Sequence, residues 1–226
     1  MRLIGSERFS RHQPPDGHPE QPARARVMAD VSHRWVEAGG LLTPPRVATH
    51  DELTRLHSPS YVDRIEKTAG RQLQHDPDTY TSPDSYDVAR LAAGAAIAAV
   101  EYTLAEGTAA VAFVRPPGHH AEADRAMGFC LFNNVAVAAA SARAAGLDRV
   151  AVIDYDVHHG NGTQWMFYGD PTVLYVSLHQ YPFYPGTGAV NDVGRSNGLG
   201  YTLNIPLQAG AGDADYDRAM RELVEP

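Results

Sequence analysis

Short apolar runs alternating with helical stretches constrain this fold more than any other feature of the chain. Residues 110–114, 150–153, 173–178 and 201–205 are Val- and Ile-rich segments of strand length. Between them, residues 134–145, closed by Gly146, and residues 162–167 read as helices. Such alternation predicts an α/β fold: a mostly parallel sheet covered by helices on both faces, a three-layer α/β/α arrangement. The 150–153 run, Val-Ala-Val-Ile, reads as a buried parallel strand.

Upstream, residues 23–38 read as a helix ended by Gly39-Gly40, and Ser58-Pro59 as the N-cap and first residue of a helix over 60–68. Ala-rich residues 85–105 read as a long buried helix starting near Ser82-Pro83. The segment up to Pro22 and the polar stretch 71–81 read as loops. A last helix, capped by Asp213, has apolar positions Tyr216, Ala219, Met220, Leu223 and Val224. The sequence stops at Pro226, where a doubly wound fold delivers its next strand. The expectation is one domain over 1–226, incomplete at its C-terminal end: the first part of a longer protein, or a truncated product.

With 226 residues, 43% of them hydrophobic, the chain can bury one sizeable core. A formal charge of −8 argues against nucleic acid as a partner, since phosphate binding requires a basic surface. The single cysteine, Cys130, cannot form an intramolecular disulfide and fits a reducing compartment. No secretory leader pattern is present, and the apolar stretch 91–100 is too short to span a bilayer, so a cytoplasmic protein without a membrane partner is expected. The sequence does not set the oligomeric state.

Two constellations carry chemistry. Asp154, Asp156 and His158 follow the 150–153 run at i, i+2 and i+4, so an extended chain projects them to one side at the strand's C-terminal end. Open α/β sheets bind their ligands there, and carboxylate plus imidazole suits zinc. The second is Arg115-Pro116-Pro117-Gly118-His119-His120, a stiff loop leaving the 110–114 strand. Adjacent histidines in that position suit general acid–base work, because imidazole titrates near neutrality.

At this point the sequence resembles a family. RPPGHHA (115–121), GFCLFNN (128–134), DYDVHHGNGTQ (154–164), SLHQ (177–180) and YPGTG (184–188) together resemble the zinc-dependent histone deacetylases. Asn161 and the GNGTQ run are most similar to the class II and bacterial acetylpolyamine amidohydrolase branches. The resemblance runs from about His18-Pro19-Glu20 onward.

It implies specific roles. Asp156 and His158 match two zinc ligands; His119 and His120 match the pair that activates the attacking water and protonates the leaving amine. Asp154 matches the carboxylate orienting His119, and Asn161 the partner of His120. Gly128, Phe129 and Tyr184 match walls of an acyl-lysine channel, and Asp78 a rim aspartate. Asp154, Ser177 and Leu178, with the carbonyls of Asp156 and His158, match a structural potassium site; Phe167, Asp170, Val173 and Tyr201 fall where a second monovalent site would be. Iron(II) accepts the same nitrogen and oxygen ligands as zinc.

The chain departs from the family in one respect. A third metal ligand (an aspartate) and an oxyanion-donating tyrosine are expected beyond Pro226; Asp192, Asp213, Asp215 and Asp217 do not follow apolar strands. Cys130 and His179 read as packing and hydrogen-bonding residues, His18-Pro19-Glu20 as a turn, and His12, His33, His50, His57 and His75 as surface or loop residues. Tyr181, Phe183 and Tyr184 fit packing and a substrate wall equally.

The leading expectation is a zinc-dependent amide hydrolase that removes acetyl or other acyl groups from lysine side chains or polyamines. The alternative is a non-catalytic deacetylase-like chain acting as a binding module or fragment. A binuclear manganese ureohydrolase would need more metal-facing carboxylates and histidines than are present.

Overall fold

The computed structural model describes residues 1–225. The chain divides into two compact units, Met1–Ala145 and Gly146–Pro226. Both are α/β: a parallel sheet with helices packed on it.

In the first unit, β1 (Arg2–Ile4) lies between β2 (Leu41–Thr43) and β5 (Ala110–Ala112), parallel to both. Three-residue strands carry too little periodicity to stand out, so β1, placed in the predicted opening loop, and β2 are legible only through their pairing. The helices are α1 (Pro22–Glu37), a short α2 (His50–Leu53), α3 (Pro59–Glu66), α4 (Ser85–Glu106) and α5 (Asn134–Ala144). Ser58 caps α3 as expected, its hydroxyl accepting from the Tyr61 amide at 3.3 Å.

The organising element of this unit is α4. Its residues Val88, Leu91, Ala92 and Ala95 face Ile4, Phe9 and Ala25, with Ala112 and Val114 alongside. Tyr86, Ala89, Ala93 and Ile97, offset around the same helix, face Tyr61, Val62 and Ile65 of α3, Val137 of α5, and Phe132. A helix apolar on two faces is a core helix. Its length and composition alone would also allow it to cross a membrane. Ala and Gly keep it thin: a Cβ on Gly94 would lie 2.0 Å from the Arg46 carbonyl oxygen.

The predicted loop at 71–81 is a hairpin, β3 (Leu73–Asp76) and β4 (Thr79–Thr81), with a register irregularity between Gln74 and Asp76. Its mixed polar sequence gives no alternation to read. Two histidines expected at the surface are buried. His12 hydrogen-bonds the Ser85 hydroxyl at 2.7 Å. His57 donates from Nδ1 to the Glu122 carbonyl and accepts at Nε2 from the Asn133 amide. Burial pushes the His57 pKa down to about 4, so it stays neutral and can serve both bonds.

In the second unit the parallel order is β6 (Val150–Asp154), β7 (Val173–Gln180), β8 (Thr202–Leu207). β7 is central and buried along nearly its whole length. Among the described residues of this unit β6 pairs with β7; Val152 is buried and Ile153 exposed, so the run read as a buried strand is covered on one face. α6 (Asn161–Phe167) follows β6, and α7 (Asp213–Ala219) follows β8. Gly212 rather than Asp213 occupies the N-cap of α7. The chain continues as a π-helical turn, Met220–Val224. Tyr216, Ala219, Met220 and Val224 pack on Val176, Leu178 and Ile205, whereas Leu223 points outward. The π turn, with more residues per turn than an α-helix, carries Leu223 off the predicted apolar stripe.

Candidate active site

The first cluster is built on the loop that follows β5. Arg115, fully buried, donates from Nε and Nη2 to the two Glu20 carboxylate oxygens at 2.5 and 2.6 Å. It also donates to the carbonyls of Phe9 and His12, at 2.6 and 2.9 Å. One guanidinium thus ties the chain before α1 to the strand exit. Burial alone would raise the Glu20 pKa, but hydrogen bonds from His12 and Arg115 outweigh it and hold the carboxyl at about 2. The stabilisation is therefore complete above pH ~4.5, the ordinary carboxylate value, and is lost as the pH falls toward 2. Glu20→Ala leaves a buried guanidinium unpaired and is expected to destabilise the fold by about 3–5 kcal/mol in urea denaturation at pH 7.

Beyond Arg115 the loop is pinned to α5. A Cβ on Gly118 would lie 2.5 Å from the Asn134 amide nitrogen, so the approach admits only glycine. Asn133 caps α5 by accepting from the Ala136 amide at 3.1 Å, and donates to the Ala121 carbonyl at 3.2 Å. Between these anchors sit His119, half-buried, and His120, buried, with ring centroids 4.0 Å apart.

Gly128 lies directly against this pair: with φ at 56°, a Cβ there would come within 2.4 Å of His120 Cδ2. Phe129 is also left-handed, at φ 70°. Its amide donates to the Thr79 hydroxyl at 3.0 Å, and that hydroxyl donates to Asp78 Oδ1 at 3.2 Å. His18 donates from Nε2 to the Asp78 carbonyl at 2.9 Å, and its ring meets Phe129 edge-on at 4.8 Å. Burial, then the neighbouring Asp76 carboxylate, raises the Asp78 pKa. His119, His120, Gly128, Phe129 and Asp78 therefore form one contiguous set within the first unit. Cys130 is buried behind it, its thiol donating to the Gly128 carbonyl at 3.2 Å.

The second cluster follows β6. The strand ends at Asp154, and the next residues turn instead of staying extended. The turn has a carboxylate at each step: Asp154 Oδ1 accepts from the Asp156 amide at 3.2 Å, and Asp156 Oδ1 from the His158 amide at 2.9 Å. The Asp156 carboxylate and His158 Nδ1 come to 3.2 Å, so the two predicted ligands are brought together by the turn. Tyr175, buried in β7, donates its hydroxyl to Asp154 Oδ2 at 3.2 Å. Phe183 stacks on the His158 ring at 5.2 Å and Tyr184 meets it edge-on at 5.7 Å.

Beneath this turn lies a buried polar layer that the sequence did not reveal. His159 donates from Nε2 to Gln164 Oε1 at 3.0 Å and accepts at Nδ1 from the Thr187 hydroxyl at 2.8 Å. Burial, then the charge of His179, depresses the His159 pKa to about 4. His179 donates to the Gly188 carbonyl and accepts from the Ser177 hydroxyl, both at 2.9 Å, which is the hydrogen-bonding role expected of it. Gly188 is required here, since a Cβ would fall 2.5 Å from His179 Nε2 and 2.6 Å from His159 Cγ. Ser177 lies opposite Asp154 in the β6–β7 register, and Asn161 opens α6.

The comparisons with known proteins decide the family. The histone deacetylase domain model matches residues 18–226. The chain belongs to the histone deacetylase family. It is 44% identical to histone deacetylase 15 of Arabidopsis thaliana, over 99% of this chain and 42% of that protein. It is 43% identical to a histone deacetylase-like amidohydrolase of Pseudomonas aeruginosa, over 95% of this chain and 58% of that one. The fold agrees with the crystal structure of the HDA15 HD domain at a TM-score of 0.93 and 40% identity, covering 99% of this chain and 69% of that one. The chain thus spans about half the length of these two curated deacetylase relatives.

Judged by donor chemistry, Asp156 and His158 carry the kinds of oxygen and nitrogen donor that zinc takes, and they are adjacent. Catalytic zinc takes three protein ligands, and among the described residues no group of three His, Cys, Asp or Glu side chains is assembled to hold a metal. These residues fit as part of a metal site and do not complete one.

Proposed function

We propose that this protein hydrolyses amides of acylated amines, releasing acetate or a longer acid from lysine side chains or polyamines. The observation that carries the reading is the His119–His120 pair, held between Gly118 and Asn133 with Gly128 packed on its face. Paired imidazoles on a rigid loop are suited to taking a proton from a water and returning one to a departing amine. Asp156 and His158 would hold the catalytic metal, zinc or iron(II), which supplies a Lewis acid and an acidified water. By resemblance to the family, Asp154 and Asn161 are read as polar residues of the site, Gly128, Phe129 and Tyr184 as wall residues, and Asp78 as a rim residue. Asp154, Ser177 and Leu178 offer the oxygen donors a potassium ion takes. The protein is read as cytoplasmic, acting on small or peptide substrates and not on nucleic acid.

The carrier of the acyl group is tested by comparing kcat/KM for an acetyl-lysine peptide and an N-acetylated polyamine. A rim carboxylate that binds a peptide backbone predicts at least a tenfold loss on the peptide in Asp78→Asn, with the polyamine little changed. Equal losses on both would instead assign Asp78 to the cationic chain of the substrate.

A further inference from the structure

The hydrogen bonds around Phe129 point to a residue that neither the motifs nor the comparisons single out. Thr79 is fully buried at the start of β4, and its hydroxyl makes two bonds in opposite senses. It accepts the amide of Phe129 and donates to the carboxylate of Asp78. Phe129 is a non-glycine residue at φ 70°, a conformation that an aromatic side chain disfavours and that surrounding contacts must hold. The residue before it, Gly128, is pressed on the His120 ring. The Phe129 ring in turn meets His18, which is itself fixed by donating to the Asp78 carbonyl.

We infer that Thr79 is a positioning residue that locks the Gly128–Phe129 segment in its left-handed turn and sets its distance from Asp78. The inference rests on the reading of Phe129 as a channel wall. One hydroxyl joins the wall to the rim, so the width of the entrance is set by the β3–β4 hairpin as well as by the 128–129 turn. Valine is the informative replacement: it keeps the shape of threonine and removes both bonds. Serine keeps both bonds and removes only a methyl group.

The test uses the full-length, metal-loaded protein and two readouts. Amide hydrogen exchange at Phe129 reports the turn itself. Steady-state kinetics on an acetyl-lysine peptide report its consequence, with Phe129→Ala measured in parallel. The expected result is that Thr79→Val exchanges at Phe129 at least tenfold faster and raises KM about tenfold, with kcat within about twofold. Thr79→Ser is expected to restore both values. Unchanged exchange in folded Thr79→Val overturns the inference, as does a KM raised by Phe129→Ala and unmoved by Thr79→Val. A KM that Phe129→Ala itself leaves unchanged removes the wall reading, and the role of Thr79 in substrate binding falls with it.

Discussion

Asp156→Ala and His158→Ala are each expected to weaken zinc binding by on the order of 10²-fold or more and to abolish turnover at ordinary metal concentrations. Structural zinc sites are worth about 10–16 kcal/mol shared over four protein ligands, and with three ligands at a catalytic zinc one ligand likewise contributes roughly 3 kcal/mol or more. Asp156 has a second duty, however: its Oδ1 accepts the His158 amide and shapes the turn. Asp156→Asn separates the two, because an amide oxygen can still accept that bond while the negative charge is gone. The expected outcome is an unchanged melting temperature of the metal-free protein with metal affinity lost. Chelator competition and thermal melting on the same samples check it. Retained zinc in Asp156→Asn would move the metal elsewhere.

His119→Ala and His120→Ala are expected to lower kcat by about 10²–10⁴-fold while zinc content stays at the wild-type level. Their rings lie 4.0 Å apart. Groups that serve one step side by side act as a unit, so the double variant should lose little more than the worse single variant. Losses that multiply would mean the two histidines act independently. Metal analysis beside the kinetics separates this effect from that of Asp156 and His158.

The parts of the fold legible in the sequence were those with a strong period or a strong cap. Ser58 before Pro59, the strand read over 150–153 and the Ala-rich α4 are all found where the residues placed them, the strand running one residue further to Asp154. β1 and the β3–β4 hairpin were not, because three or four residues hold too little periodicity, and β1 in addition takes its partners from residues 41–43 and 110–112. The site divides in the same way. His119 with His120, and Asp154 with Asp156 and His158, are local clusters whose residue types announce chemistry. Arg115 with Glu20, and Thr79 with Phe129, are pairs separated by 95 and 50 residues, and no single-sequence pattern links them. The burial of His12 and His57 is not legible for a related reason. A buried neutral histidine differs from an exposed one only in its partners, which here are Ser85, Glu122 and Asn133.

The decisive measurement is metal-dependent release of acetate from an acetyl-lysine peptide, and separately from an acetylated polyamine. The full-length protein is stripped with a chelator and then titrated with zinc. The expected result is no release by the stripped protein and recovery that saturates at one zinc per chain, absent in the Asp156→Ala/His158→Ala double variant. Release that survives chelation, or zinc-restored release in the double variant, would contradict it.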